Sequence, residues 1–280
     1  MLEDALRKQE WYVDRLQEVG ARPLAFVGRF AGQDRPKAED IANDIGSVLG
    51  LSPAIRAAAK TPDEYFSSIA DRAESAGVLV MKSGIVRSNT RRPLSVKEFR
   101  GFAIVDPLAP LVFVNGRDAL VASVFTLVHE LAHIWIGQSG VSDLAGPSLK
   151  GIERMCNQVA ADMLVPRLEF LRQWESNPDI GRIAKVFRVS RLVIGRRALD
   201  LGKIDQAAYD ALAKASVAAS RPSSGGSAYR TIPTRNGKRL TAALVKSALA
   251  GETLLREAAS LLSVRPETVM ELGRRVSQLG

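Results

Sequence analysis

Only two histidines occur in the 280 residues, and both fall in one stretch, Phe125-Thr126-Leu127-Val128-His129-Glu130-Leu131-Ala132-His133-Ile134-Trp135. In a helix, residues four apart stand one turn apart on nearly the same face, so His129 and His133 can aim both imidazoles at a single metal ion. Glu130 lies beside them, placed to take a proton from a water on that metal. Between residues 119 and 136 Glu130 is the only formally charged side chain. A helix that is apolar nearly all round is a buried one. Burying a carboxylate and two imidazoles there costs roughly several kcal/mol unless they are compensated, and a metal is the simplest compensation. A solvent-facing stripe with two chance histidines would carry Lys, Arg or further Glu, and the stretch has none.

A catalytic zinc site with three protein ligands needs one more donor and an open position for water, and two His with one Glu is an established set. The next helical pattern, over residues 152–166, offers Glu153 and, one turn on and on the same face, Asn157. Glu153 is the expected third ligand, and Asn157 is the residue expected to orient a ligating imidazole. Without the histidine pair, Glu153 would read as an exposed acid favoured by the first-turn helix dipole. Two His and a carboxylate also make the facial triad of non-haem iron oxygenases, but a Glu directly after the first His argues for hydrolysis.

These residues need elements to hold them. Residues 2–19 and 36–49 show helical spacing, and Thr61-Pro62-Asp63-Glu64 is a helix start, with a cap, a proline and acids in the first turn. From Gly77 the period shortens. Val78-Leu79-Val80-Met81, Gly101-Phe102-Ala103-Ile104-Val105 and Leu111-Val112-Phe113-Val114 read as three strands of a small antiparallel sheet, and the histidine helix should stop near Gly137. The expected fold class is α+β, a domain over residues 1–174 that holds the metal site, followed by mostly helical accessory segments.

The single cysteine, Cys156, leaves no internal disulfide or zinc ribbon to form and fits a reducing compartment. A basic-then-apolar leader and a membrane-length apolar run are both missing from the sequence, so the expectation is a soluble, cytoplasmic protein without membrane contact. The net charge of +9 is uneven: residues 178–280 carry 18 Lys/Arg against 8 Asp/Glu, and the rest of the chain 21 against 22. A basic C-terminal third suggests DNA or an acidic partner there, although a dispersed basic surface with no specific role is common.

The run ending in His129-Glu130-Leu131-Ala132-His133, followed by Glu153-x-x-Cys156-Asn157-x-Val159-Ala160-Ala161-Asp162-Met163-Leu164-Val165-Pro166, resembles the ImmA/IrrE family of bacterial metallopeptidases. The resemblance spans roughly residues 37–166. It implies a gluzincin-like endopeptidase that uses Zn2+, with Mn2+ as a second option, and cuts a helix-turn-helix repressor, relieving repression of stress, mobile-element or phage-related genes. Carried onto this chain, His129, His133 and Glu153 become the metal ligands and Glu130 the general base. Ala132 stands where the family commonly has glycine, Cys156 where alanine is common and Val159 where an aromatic is common. A thiol three residues after a ligand glutamate could reach the metal, but a small buried residue is the simpler reading of Cys156.

Two later segments share helix-turn-helix spacing: Ile183-Ala184-x-x-Phe187-x-Val189-Ser190-x-x-Val193-Ile194, and Ala258-Ala259-x-x-Leu262-x-Val264 with Val269. The first defines an accessory segment over residues 175–220. The second closes residues 221–280, where Arg221 to Ser227 have linker composition and Asn236-Gly237 predicts a short hairpin between Tyr229-Arg230-Thr231-Ile232 and Arg239-Leu240. A helix-turn-helix would set Arg191, Arg196 and Arg197 against DNA; a helical hairpin packed on the peptidase or holding its substrate is the competing reading. The alternative for the whole chain is a DNA-associated regulator or antitoxin-like partner whose metal site is structural or vestigial.

Overall fold

The computed structural model describes residues 1–33, 36–141, 147–217 and 228–277. Four helices come first: α1 (Leu2–Glu18), α2 (Ala38–Val48), α3 (Pro53–Ala58) and α4 (Pro62–Ala76). Thr61 Oγ1 accepts from the Glu64 amide at 3.2 Å, and Gly77 (φ 111) ends α4, as the cap, proline and glycine predict. Five strands follow, β1 (Leu79–Ser83), β2 (Ile85–Val86), β3 (Asn89–Pro93), β4 (Gly101–Ile104) and β5 (Leu111–Asn115), then α5 (Leu120–Ile136) and β6 (Gly140–Val141). The remainder is helical: α6 (Pro147–Leu164), α7 (Arg167–Ser176), α8 (Ile180–Phe187), α9 (Arg191–Asp200), α10 (Gln206–Val217), α11 (Ala228–Asn236), α12 (Lys238–Leu249), α13 (Leu255–Leu262) and α14 (Pro266–Ser277).

The fold is α+β, as expected, and its main sheet contains the three predicted strands in the order β1-β5-β4-β6. The sheet is mixed rather than antiparallel throughout. β1 runs parallel to β5, while β4 is antiparallel to β5 and to β6. The chain between β1 and β5 is long enough for a parallel return because it contains the separate β2–β3 hairpin and β4.

Both faces of this sheet are covered. Val80, Ala103, Val112 and Val114 belong to a core shared with α2, α4, α5, α6, α8 and α9. Leu79, Met81, Phe102, Leu111 and Phe113 belong to a second core, with α1 and α11 to α14. Alternate residues of each strand therefore point into different cores, which explains why the strands read as unbroken apolar runs.

The hairpin expected about Asn236-Gly237 is not formed, because both flanks are helices, α11 and α12. Asn236 is fully buried and donates to the carbonyls of Ile232 at 3.0 Å and Leu262 at 3.2 Å. Gly237 takes φ 83, a left-handed turn that brings the start of α12 against Glu74 of α4. The same Asn-Gly pair that opens a hairpin here breaks one helix from the next. The linker expected from Arg221 to Ser227 lies outside the described residues.

Candidate metal centre

α5 is buried between the sheet and α6 and is pinned at its C-terminal end. Trp135 stacks on Phe26 with centroids 4.4 Å apart and donates from Nε1 to Asp44 Oδ2 at 2.7 Å. The amides of Gly28 and Phe30 bond to the carbonyls of Ile134 and Trp135. Gly137 (φ 78) ends the helix, and a Cβ there would meet Gly28 Cα at 3.0 Å. A fixed helix end fixes the two histidines that precede it by about one and two turns.

Both imidazoles are oriented from behind. His129 Nδ1 lies 3.1 Å from Asn157 Oδ1, and His133 Nδ1 lies 3.1 Å from the Gln138 carbonyl. Each acceptor holds a proton on Nδ1, so Nε2, which shares its proton with Glu153 when no ion is bound, is the atom left to give its electron pair to a metal. Those atoms converge on one carboxylate: His129 Nε2 is 3.1 Å from Glu153 Oε2, and His133 Nε2 is 3.3 Å from Glu153 Oε1. The sequence thus nominated four residues, on two helices, that come together.

The hydrogen bonds from His129 and His133 hold the Glu153 carboxyl well below the usual carboxylate range. Burial alone would lower the pKa of His133, but the hydrogen bond to Glu153 and the charges of Glu130 and Glu153 outweigh it and raise it. A tetrahedral ion with bonds of about 2.0–2.1 Å needs donors about 3.3–3.4 Å apart. The Glu153 oxygens already stand near that spacing from each Nε2. Cys156 is a nearby competitor, since its sulfur and the two imidazoles offer donor atoms that all lie within 4.8 Å of one another. Glu153 offers two carboxylate oxygens, at 3.1 and 3.3 Å from the two Nε2 atoms, while burial pushes the Cys156 thiol up, away from the thiolate a metal takes.

Glu130 is fully buried on the strand side of α5. A Cβ on Gly101 of β4 would stand 2.8 Å from Glu130 Oε1 and 2.7 Å from Thr126 Cγ2. Gly101 therefore makes room for the carboxylate. Neither it nor the Gln138 carbonyl was nominated from the sequence; a glycine opening an apolar strand is the one signal Gly101 offered.

The site opens into a cleft of about 2010 Å3, bounded by α5 and α6 residues and by Lys185, Arg188, Ser190, Arg191 and Arg196 of the α8–α9 region. Of the three arginines expected against DNA, Arg191 and Arg196 line this cleft. Arg197 is buried: its Nη2 pairs with Asp162 Oδ1 at 2.6 Å and its Nε donates to the Val165 carbonyl at 3.0 Å, which ties α9 to α6. Its place between Ile194 and Ala198, both buried, puts it on the packed face of α9.

Among the described residues no helix is long and apolar enough to cross a membrane. Residues 73–199 match the Peptidase M78 family model, described as an IrrE N-terminal-like domain. Residues 236–275 match a domain of unknown function, DUF8813. No curated protein matches the sequence. Residues 73–199 thus form an IrrE N-terminal-like domain, the family the two motifs resemble, and the match supports a metal-dependent peptidase with a protein substrate.

Proposed function

We propose that this IrrE N-terminal-like domain is a working zinc endopeptidase whose substrate is a helix-turn-helix repressor encoded near it. The observation that carries this reading is the convergence of both Nε2 atoms on the two oxygens of Glu153, with both Nδ1 atoms held by acceptors. His129, His133 and Glu153 would hold the ion, Zn2+ or Mn2+, and Asn157 would orient His129. A bound divalent ion supplies Lewis acidity, polarising a carbonyl and acidifying water. Glu130 takes the proton of the attacking water on its carboxylate and returns it to the leaving amine. Burial of Glu130 keeps bulk water from competing for that proton. The free, buried Cys156 fits a cytoplasmic setting.

The test is incubation of the purified protein, loaded with zinc and then with chelator, with the repressor encoded nearest to it, read by intact mass. Cleavage should need metal, and Glu130→Gln should slow it by about 100- to 10,000-fold while zinc content is unchanged. An unaffected Glu130→Gln variant would sink the mechanism. A repressor left whole under every condition would remove the substrate.

A further inference from the structure

Cations line the cleft, most of them on α8 and α9 with Arg100 before β4 and Arg154 on α6, and the fold leaves several of them out of ion pairs. Arg100 pairs with Asp118 at 3.3 Å and Arg196 with Asp200 at 3.0 Å, while Arg182 donates to Gln173 and to the Asn177 carbonyl. Lys185, Arg188, Arg191 and Arg154 also line the cleft, and among the described residues none of them forms an ion pair. Lys185, Arg191 and Arg154 are exposed, and Arg188 is half-buried. Val189, Leu192 and Val193 lie between these charges along the same wall.

We propose that this wall is a subsite for an extended acidic peptide segment, which defines the stretch of substrate presented to Glu130; the idea rests on the peptidase reading of the same cleft. Asp200 pairs with Arg196 and Asp179 caps α8, so Lys185, Arg188 and Arg191 leave this wall with an excess of positive charge, which between low-dielectric walls selects an opposite charge. A single-stranded nucleic acid meets that need less well. Its backbone carries a charge on every unit and would have to pass Glu130, Glu153, Asp118 and Asp200, all of which line the cleft. A peptide backbone is neutral, so its carboxylates can be confined to the side chains that meet Lys185, Arg188 and Arg191. The aliphatic residues between those cations offer contact to apolar side chains of the same segment.

Binding of labelled peptides to full-length, zinc-loaded protein carrying Glu130→Gln, followed by fluorescence anisotropy, tests this without cleavage. Peptides of equal length rich in Glu, Ser or Lys are compared with an oligothymidylate of similar length. The Glu-rich peptide should bind about 10-fold or more tighter than the Ser-rich one, with an affinity that falls as salt rises. Lys185→Glu, Arg188→Glu and Arg191→Glu combined should abolish that preference, and the milder Lys185→Gln with Arg191→Gln should weaken it. Arg256→Glu with Arg265→Glu, on the exposed surface of the second helix pair, should leave it unchanged. Equal binding of acidic and neutral peptides, or an unchanged triple variant, overturns the proposal. Tighter binding of the oligothymidylate than of the Glu-rich peptide overturns it too, and reassigns the wall to nucleic acid. Zinc uptake and repressor cleavage by the unsubstituted protein are read separately. Acidic-peptide binding without cleavage would remove the peptidase reading and keep the subsite.

Discussion

In α8–α9 the break between helices falls at Arg188 (φ 56), and in α13–α14 it falls at Ser263 (φ 55), 75 residues further on. The buried residues correspond as well: Ile183, Ala184, Phe187 and Ile194 in the first pair, Ala258, Ala259, Leu262 and Val269 in the second. Yet the first pair is packed into the core that holds α5 and lines the cleft, while the second belongs to the core on the opposite face of the sheet. Shared spacing fixes how two helices pack on each other. It says nothing of what their outer surfaces meet, which depends on single residues such as Arg197, bonded to Asp162, or Asn236, bonded to the Leu262 carbonyl.

Substitution of one anchor in each pair should separate the two roles most sharply. Arg197→Ala leaves Asp162 without its partner and should cost about 3 kcal/mol, a buried-pair loss reduced by the partial exposure of Asp162. Because Asp162 is on α6, which also carries Glu153 and Asn157, zinc affinity measured by chelator competition should fall with it. Leu262→Ala should cost about 2–5 kcal/mol in urea unfolding with zinc affinity unchanged. A matching loss of zinc affinity in both variants would break the distinction.

A second test uses pH. Glu74 of α4 accepts from the amides of Val80 and Arg239, and burial, outweighing those bonds, raises its carboxyl to about 7. A folded pKa above the unfolded one of about 4.3 means the protonated form favours folding. That contribution is full below about pH 4.3 and is lost as pH rises through about 7, a change of about 4 kcal/mol. Glu74→Gln should flatten this part of the stability profile between pH 5 and 8, with the change in hydrogen exchange centred on α12, whose first turn Glu74 faces. An equal response in α8–α9 would mean that the two sides of the sheet are not separable.

The smallest effect concerns the turns. Left-handed backbone costs a non-glycine residue about 1–2 kcal/mol, so Arg188→Gly and Ser263→Gly should each stabilise by up to that amount in thermal unfolding. Only Arg188→Gly should also weaken acidic-peptide binding. Loss of binding in Ser263→Gly would contradict the assignment of the cleft wall.

Much of the site was legible because its chemistry is local in sequence: two histidines a turn apart, and a carboxylate and an amide a turn apart on the next helix. Helix limits were legible where the backbone needs a particular residue, as at Thr61, Gly77 and Gly137. Strand partners were not, since β1 meets β5 across some thirty residues of intervening chain. The unbroken apolarity of residues 78–81 and 111–114 was the available clue to a sheet buried on both faces. Asn236-Gly237 misled because a left-handed glycine serves a hairpin and a helix break equally, and Arg197 misled because charge suggests solvent while its neighbours Ile194 and Ala198 face the core. The direction in which α9 points depends on contacts with α6, which no local pattern records.

The sheet with two covered faces also sets a timetable for synthesis. By Asp200 the ribosome has delivered α2, α4, α5, α6, α8 and α9, which build the core on the α5 side, but Phe102 and Phe113, stacked with centroids 4.9 Å apart, wait for α11 to α14. At about 5–20 residues per second, the gap to the end of α14 lasts about 4–15 seconds. During that interval the nascent chain presents an aromatic strand surface covered from its own earlier part by α1, Leu94 and Phe99, a surface open to aggregation or chaperone capture until α11 to α14 arrive.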